Sequence, residues 1–122
     1  TELVTAPMTI NGVTVTPIPQ QHGGWPCLGW RICDVAWLTD LSDIPESSLP
    51  LLAGLDTLFL DCLRPEPYPS HLHLAASLDW AQRLAARQTF LIHMTHQLEY
   101  QALSAQCPPG VAVAYDGLQL TF

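Results

Sequence analysis

Histidine and aspartate side chains that could bind a metal ion recur along this 122-residue sequence, each at the end of an apolar run. His22 follows "VTVTPIPQQ", Asp40 follows "VAWLT", Asp61 follows "TLFL" and His93 follows "TFLI". Imidazole and carboxylate groups suit zinc, manganese or iron, and a carboxylate can bridge two metals through its two oxygens. A mixed His/Asp metal site is therefore one candidate for the chemistry of this chain.

These four residues can act together only if strands bring them to one place. The runs "VAWL", "TLFL" and "TFLI" are continuous and apolar, which is typical of strands buried in a sheet that helices cover. In open α/β sheets, ligands bind in the crevice beyond the strand ends. We therefore expect the four side chains to meet at one edge of the sheet.

Each of these residues also has a purely structural interpretation. A single histidine at a strand end is more often a satisfied polar or loop residue than a ligand, and an aspartate there often belongs to a turn or caps a helix. Asp61 could simply pair with Arg64, three residues later. Spacing alone leaves a metal site and structural roles both open.

The remaining patterns predict the elements that carry these strands. Asn11-Gly12 is typical of a type I′ hairpin turn, and Asp116-Gly117 predicts a closing strand or hairpin. The predicted order is β-β-β-α-β-α-β-α-β-β, an α/β fold with one mixed sheet covered by helices on at least one face. The other segments are a Gly-rich loop "QQHGGWPCLGW", a short helix "DIPESSLPLLAGLD", a helix "SHLHLAASLDWAQRLAAR" capped by Ser70, and a helix "HQLEYQALSAQ" started by Thr95.

Composition narrows the class of protein. Charged residues make up 12% of the chain, against roughly 25% in soluble domains, and hydrophobic residues make up 48%, so we expect part of the surface to be covered by other protein. The net charge of −7 and the absence of lysine argue against nucleic-acid binding. With no C-x-x-C pair and no apolar run of roughly 20 residues, we expect free thiols, no membrane span and a cytoplasmic location.

Six motifs in order along the chain resemble those of a known family. They are "PQQHGG", "AWLTDLSDIP", "LFLDCLR", "PYPSHLHL", "FLIHMTHQ" and "VAYDGL". Together they resemble the carboxy-terminal half of metallo-β-lactamase-fold hydrolases, within the branch that contains the phosphoribosyl cyclic phosphodiesterase. The resemblance implies half of an αββα sandwich, with one mixed sheet and helices on one face. Within this branch it favours a small, cyclic phosphate ester as the substrate, whereas other hydrolases of the same fold cleave thioesters, lactones and β-lactams.

The resemblance assigns a role to each residue that matches a motif. It implies that His22 is a ligand of one metal, that Asp40 bridges two metals, and that His93 binds the second. His71, in "PSH", matches a histidine that contacts the phosphate and assists departure of the leaving group. The implied cofactors are two divalent ions, zinc or manganese, that activate a water molecule. Supporting or uncertain roles fall to Asp61, Arg64, His96 and Asp116.

Two departures from the family pattern limit what the chain can do. The branch has His-Pro-Thr-His where this chain has Tyr68-Pro69-Ser70-His71. More importantly, the His-x-His-x-Asp-His loop of the amino-terminal half does not occur in the sequence. Residues 1–122 are therefore expected to be the carboxy-terminal half of a hydrolase domain, with weak or no metal binding and no turnover on its own.

Three explanations of a half-domain follow from the sequence. It is a fragment of a longer chain, or it pairs with a separately encoded amino-terminal half. Alternatively, a second copy covers the exposed sheet, which would make the chain a homodimeric binding or structural module without catalysis.

Overall fold

Seven strands form one mixed sheet whose strand order is the order of the sequence. The computed structural model describes residues 6–95 and 99–121. Neighbouring strands are antiparallel from β1 to β4 and parallel from β4 to β7, which confirms the predicted mixed sheet. The strands are β1 (Met8–Ile10), β2 (Val13–His22), β3 (Trp25–Ile32), β4 (Val35–Leu38), β5 (Thr57–Asp61), β6 (Gln88–Ile92) and β7 (Val111–Val113).

The first hairpin forms as the sequence predicts. Asn11 and Gly12 have φ angles of 51° and 78°, and Ile10 pairs with Val13 across the turn. Positive φ at both central residues is the requirement of a type I′ turn, whose twist matches that of the flanking strands. Asn-Gly meets this requirement with little strain, so this local signal is sufficient to form the turn.

The predicted Gly-rich loop is wrong, because most of it is strand β3. A two-residue turn at Gly23-Gly24 joins β2 to β3, and the two strands pair continuously from Val15–Ile32 to His22–Trp25. Gly29 was a loop signal in the sequence, yet it lies buried inside the strand. A Cβ atom built there would lie 2.4 Å from Leu38 Cδ2. The glycine is therefore a packing requirement of the sheet.

The helices cover one face of the sheet. They are a 3₁₀ helix (Glu46–Leu52), α1 (Leu74–Leu84) and α2 (Tyr100–Gln106). Trp80 and Leu84 of α1 pack with Leu58 and Leu60 of β5, and Leu103 of α2 packs in a second cluster with residues of β6 and β7. Helices on one face agree with the predicted half-sandwich. Among the described residues, no helix has the length and hydropathy needed to cross a bilayer.

Two predicted helix starts are wrong. α1 begins after His73 and has no side-chain cap, so Ser70 is not its N-cap. α2 begins after Glu99, whose carboxylate accepts a hydrogen bond from the Ala102 amide, so Thr95 is not its N-cap. Capping motifs recur by chance in polar loops, and the path of the chain decides which one is used.

The closing segment is shorter than predicted. Strand β7 ends at Val113, and Asp116-Gly117 forms a turn with Gly117 at a φ of 86°. From this turn to residue 121 the structure describes no further strand. The turn is confirmed, whereas the second arm of a hairpin is absent from the described part.

The opposite face of the sheet, which we call the open face, is apolar and carries none of the described helices. An aromatic row crosses it: Trp37 lies 4.8 Å from Phe59 and Phe59 lies 5.7 Å from Phe90, measured between ring centroids. Trp30 pairs with Trp37 in register and extends the row. Trp37 is 47% exposed, although an indole of this kind is usually covered in a finished domain. Beside the row, a shallow groove is lined by Trp37, Phe59, Ile92, Ala114, Tyr115, Leu118 and Leu120.

All four cysteines are free, as the sequence predicts. Cys62 is fully buried next to β5, and this burial raises the pKa of its thiol to about 11. A thiol with that pKa stays protonated near neutral pH and is a poor nucleophile. Cys62 therefore belongs to the core.

We expect Gly29→Ala to destabilise the fold by about 1–3 kcal/mol, because the added methyl overlaps Leu38 and approaches Gln20 Oε1 to 2.8 Å. Gly24→Ala is the matched control, since a Cβ at Gly24 meets nothing within 4 Å. Urea unfolding of both variants measures the difference. Equal stability of the two variants would show that the close packing at Gly29 is not a constraint.

Candidate metal centre

The strand directions bring the predicted residues to one edge of the sheet. β4, β5 and β6 are parallel, and β2 has the same direction as β4 because both are antiparallel to β3. The carboxyl ends of these four strands therefore share one edge. His22 and Asp61 are the last residues of β2 and β5, Asp40 lies two residues after β4, and His93 directly follows β6.

The backbone is left-handed at two of these residues, which follow strands β4 and β6. Asp40 has a φ of 56° and His93 a φ of 64°. This region is uncommon for residues other than glycine, and such residues concentrate at functional sites. The turn of the backbone at each position gives the side chain its place at the edge of the sheet.

A fifth polar residue, His71, lies among these four. It comes from the loop between β5 and α1, and its Nε2 lies 3.3 Å from the Nε2 of His22. The Oδ1 of Asp40 lies 3.9 Å from His71 Nδ1 and 3.7 Å from His93 Nε2. The ring centroids of His71 and His93 are 4.9 Å apart. His71 is thus central to the cluster.

The donor atoms fit a divalent cation. They fall into two overlapping groups, each with all its donor atoms within 4.8 Å of one another: His22, Asp40 and His71, and Asp61, His71 and His93. Two imidazole nitrogens that bind one zinc ion at 2.0–2.1 Å with tetrahedral angles lie about 3.3–3.4 Å apart. The separation of 3.3 Å between His22 Nε2 and His71 Nε2 has this value, and it is also the length of a hydrogen bond between the two rings, so the distance alone does not make His71 a metal ligand. Nitrogen and carboxylate donors at these distances suit zinc or manganese.

Asp61 lies beneath the cluster and is fully buried. Its Oδ2 is 2.9 Å from His71 Nδ1, and its Oδ1 is 3.0 Å from His93 Nδ1. The amide of Leu41 also reaches Oδ2, at 3.4 Å. The alternative that the sequence left open, in which Asp61 pairs with Arg64, is therefore wrong. Arg64 instead donates to the carbonyls of Glu66 and Pro67.

The other predicted supporting residues lie around the cluster or outside the described residues. Asp116 is exposed and shares a shallow depression with His93 and Tyr115. Arg64 stacks over Tyr68 at 4.6 Å from the ring centroid, and the Tyr68 ring centroid is 5.8 Å from that of His71. His96 lies outside the described residues.

Sequence reasoning did not find two features of the site. It did not predict that His71 contacts His22, because the sequence placed His71 in the first turn of a helix, whereas α1 begins after His73. It also did not predict that Asp61 holds two histidines at once. The signal for Asp61 was its position at the end of an apolar strand, where a fully buried carboxylate requires partners.

Comparison with known proteins identifies the family. The model of the beta-lactamase superfamily domain matches residues 4–94, and the chain belongs to this family. A diphosphatase of the PhnP family is 38% identical, with a TM-score of 0.95 over 98% of this chain and 47% of its own. The metallo-β-lactamase-fold protein YhfI from Bacillus subtilis is 22% identical, with a TM-score of 0.74 over 92% of this chain and 51% of its own. The chain therefore has a metallo-β-lactamase fold.

The match to a curated relative covers a much smaller part of that relative's own length. An octanoyltransferase from Porphyromonas gingivalis (strain ATCC BAA-308 / W83) is 31% identical over 93% of this chain, but the match spans only 23% of that protein. The chain thus spans less than a quarter of this relative and about half of the matched structures.

We expect Asp40→Gly to leave the free energy of unfolding unchanged or slightly higher, because glycine adopts a positive φ without strain. Asp43 is exposed three residues later and is not among the positive-φ residues, so Asp43→Gly should cost about 0.5–1 kcal/mol. Denaturant unfolding of both variants tests the left-handed conformation. A larger loss at Asp40 than at Asp43 would contradict it.

Proposed function

We propose that this chain is the carboxy-terminal part of a metal-dependent hydrolase that cleaves a small phosphate ester. The observation that carries the proposal is the cluster of His22, Asp40, His71 and His93 at one edge of the sheet. Membership of the beta-lactamase superfamily supports hydrolysis. The 38% identity to a diphosphatase supports a phosphorylated substrate, and we favour a cyclic ester because of the branch that the sequence motifs resemble.

His22 and Asp40 would hold one divalent ion, and Asp40 and His93 a second. When bound, such ions make a nucleophile available from water near neutral pH and neutralise charge on phosphoryl oxygens. This chain needs that neutralisation, because it has a net charge of −7 and places two carboxylates, Asp40 and Asp61, at the site. A phosphate ester would otherwise be repelled from the site.

His71 is the residue of this chain suited to proton transfer. Its Nδ1 is bonded to Asp61, so its Nε2 faces the cluster. From that position, Nε2 can donate a hydrogen bond to a phosphoryl oxygen or give a proton to the departing oxygen. Asp61 supports this role because its carboxylate accepts the hydrogen bond of Nδ1–H and so fixes the orientation of the ring.

The proposed partner is the amino-terminal half of the same fold. His22, Asp40 and His93 supply only two ligands to each ion, which is fewer than the three or four protein ligands of typical zinc sites. The chain covers 47% of the diphosphatase, so a comparable length of that protein lies outside the match. The open face, with Trp37 47% exposed, is the surface that the other half would cover.

A second copy of the chain is the alternative occupant of the open face, which would make the protein a non-catalytic homodimeric module. The aromatic row favours some covering layer, and an isologous dimer would bury the row against itself. The two functions differ in what the isolated 122-residue chain should do.

We expect His71→Gln to lower the rate of bis(p-nitrophenyl) phosphate hydrolysis by about 10²–10⁴-fold in the complete metal-loaded protein, since a proton donor is lost. His73→Gln is the matched control, because His73 lies two residues away and its side chain does not cap α1. The control should retain its rate. Equal losses in both variants, or no hydrolysis by the metal-loaded parent, would contradict the proposal.

The metal content and the oligomeric state of the isolated 122-residue chain distinguish the hydrolase half from the homodimeric module. We expect this chain to bind zinc weakly, with fewer than two ions retained per chain after gel filtration, because its ligand set is incomplete. Elemental analysis combined with light scattering measures both metal content and oligomeric state. A stable metal-free dimer that Trp37→Ser dissociates would favour the homodimeric module, and two tightly held ions per chain would overturn the half-site.

A further inference from the structure

Asp61 offers two hydrogen-bond acceptors to two imidazoles. Oδ1 is bonded to His93 Nδ1 at 3.0 Å, and Oδ2 is bonded to His71 Nδ1 at 2.9 Å. An ionised carboxylate has only lone pairs, so the proton in each bond must be carried by the histidine. Because Asp61 is 0% exposed, water does not replace either partner.

We propose that Asp61 is a positioning residue that fixes the same tautomer, Nδ1–H, in His71 and His93 at once. With the proton held on Nδ1, the Nε2 lone pair of each neutral ring is left to face the cluster. His71 then presents Nε2 to His22, and His93 presents Nε2 toward Asp40. One carboxylate would thereby orient both the proposed metal ligand, His93, and the proposed proton donor, His71, whose Nε2 must take up a proton before it can give one to a leaving group. The roles of metal ligand and proton donor rest on the proposed function, whereas the tautomers themselves do not.

The surroundings of Asp61 hold the carboxylate in this orientation. Its own carbonyl accepts a hydrogen bond from Ser77 of α1, and the next amide, of Cys62, donates to Ile92 in β6. The amide of Leu41, directly after the left-handed Asp40, donates to Oδ2. The same carboxylate therefore ties together the ends of β4 and β6 and the loop that carries His71.

Because both rings need an acceptor, replacing the carboxylate of Asp61 by an amide should change the tautomer of one ring. An asparagine at this position has nearly the same shape but offers one acceptor and one donor group. Its oxygen can accept from only one of the two Nδ1–H groups, and its amide must face the other ring. That ring avoids an unsatisfied contact by moving its proton to Nε2. Asp61→Asn should therefore switch one histidine and leave the other unchanged.

The test is ¹⁵N NMR of histidine-labelled, metal-free protein at a pH of about 8, where imidazoles are ordinarily neutral. The resonances are assigned with His71→Gln and His93→Gln. In the parent, both rings are expected as Nδ1–H, and in Asp61→Asn one of them as Nε2–H. Asp56→Asn is the matched control, because Asp56 directly precedes β5 at its other end and pairs with Arg87. It should leave both tautomers as they are.

The parent spectrum is decisive even if Asp61→Asn fails to fold. An Nε2–H tautomer at either His71 or His93 in the parent would overturn the proposal, as would two unchanged rings in a folded Asp61→Asn. Zinc affinity gives a second measure, with an expected loss of about 10–100-fold in Asp61→Asn of the complete protein. Two Nδ1–H rings in a protein without hydrolase activity would support the positioning role and reject the proposed function alone.

Discussion

A carboxylate with no exposed surface, Asp61, holds the functional edge of this fold together. Removing a charge from water costs several kcal/mol unless hydrogen bonds compensate it. Here compensation comes from His71, His93 and the amide of Leu41, which belong to three different connections. The carboxylate is buried only where these connections converge at the ends of parallel strands. The polar cluster and the packing of the sheet edge are therefore one structural arrangement.

The sequence predicted the strands that position the site better than the contacts inside it. Apolar runs that end in His or Asp located the strand ends correctly, because strand direction brings such ends to one edge. Strand β3 was missed because Gly29 suggests a loop, and its packing against Leu38 depends on a partner strand. The partners of Asp61 could not be read from spacing, since they lie 10 and 32 residues away along the chain.

The two faces of the sheet differ in how far the described helices cover them. On one face, the 3₁₀ helix and α1 close over Leu58 and Leu60, and α2 closes over Leu91; none of these three leucines is exposed. On the open face, Trp37 keeps 47% of its surface accessible in the middle of an aromatic row. An apolar open face is in keeping with the low share of charged residues, 12% of the chain. The match to about half of each related structure is consistent with such a face.

The strand order has a consequence for how the molecule folds. Each strand of the sheet pairs only with its neighbours in sequence. The antiparallel pairings of β1 to β4 close through tight turns, whereas the parallel pairings of β4 to β7 join residues 22 to 31 positions apart, so loop closure favours the antiparallel part. The sheet can therefore grow from strand to strand as the chain becomes available. Residues His22 and His93 come together only after β6 has joined, because 71 positions separate them along the chain. The site is therefore complete only once β6 has paired with β5.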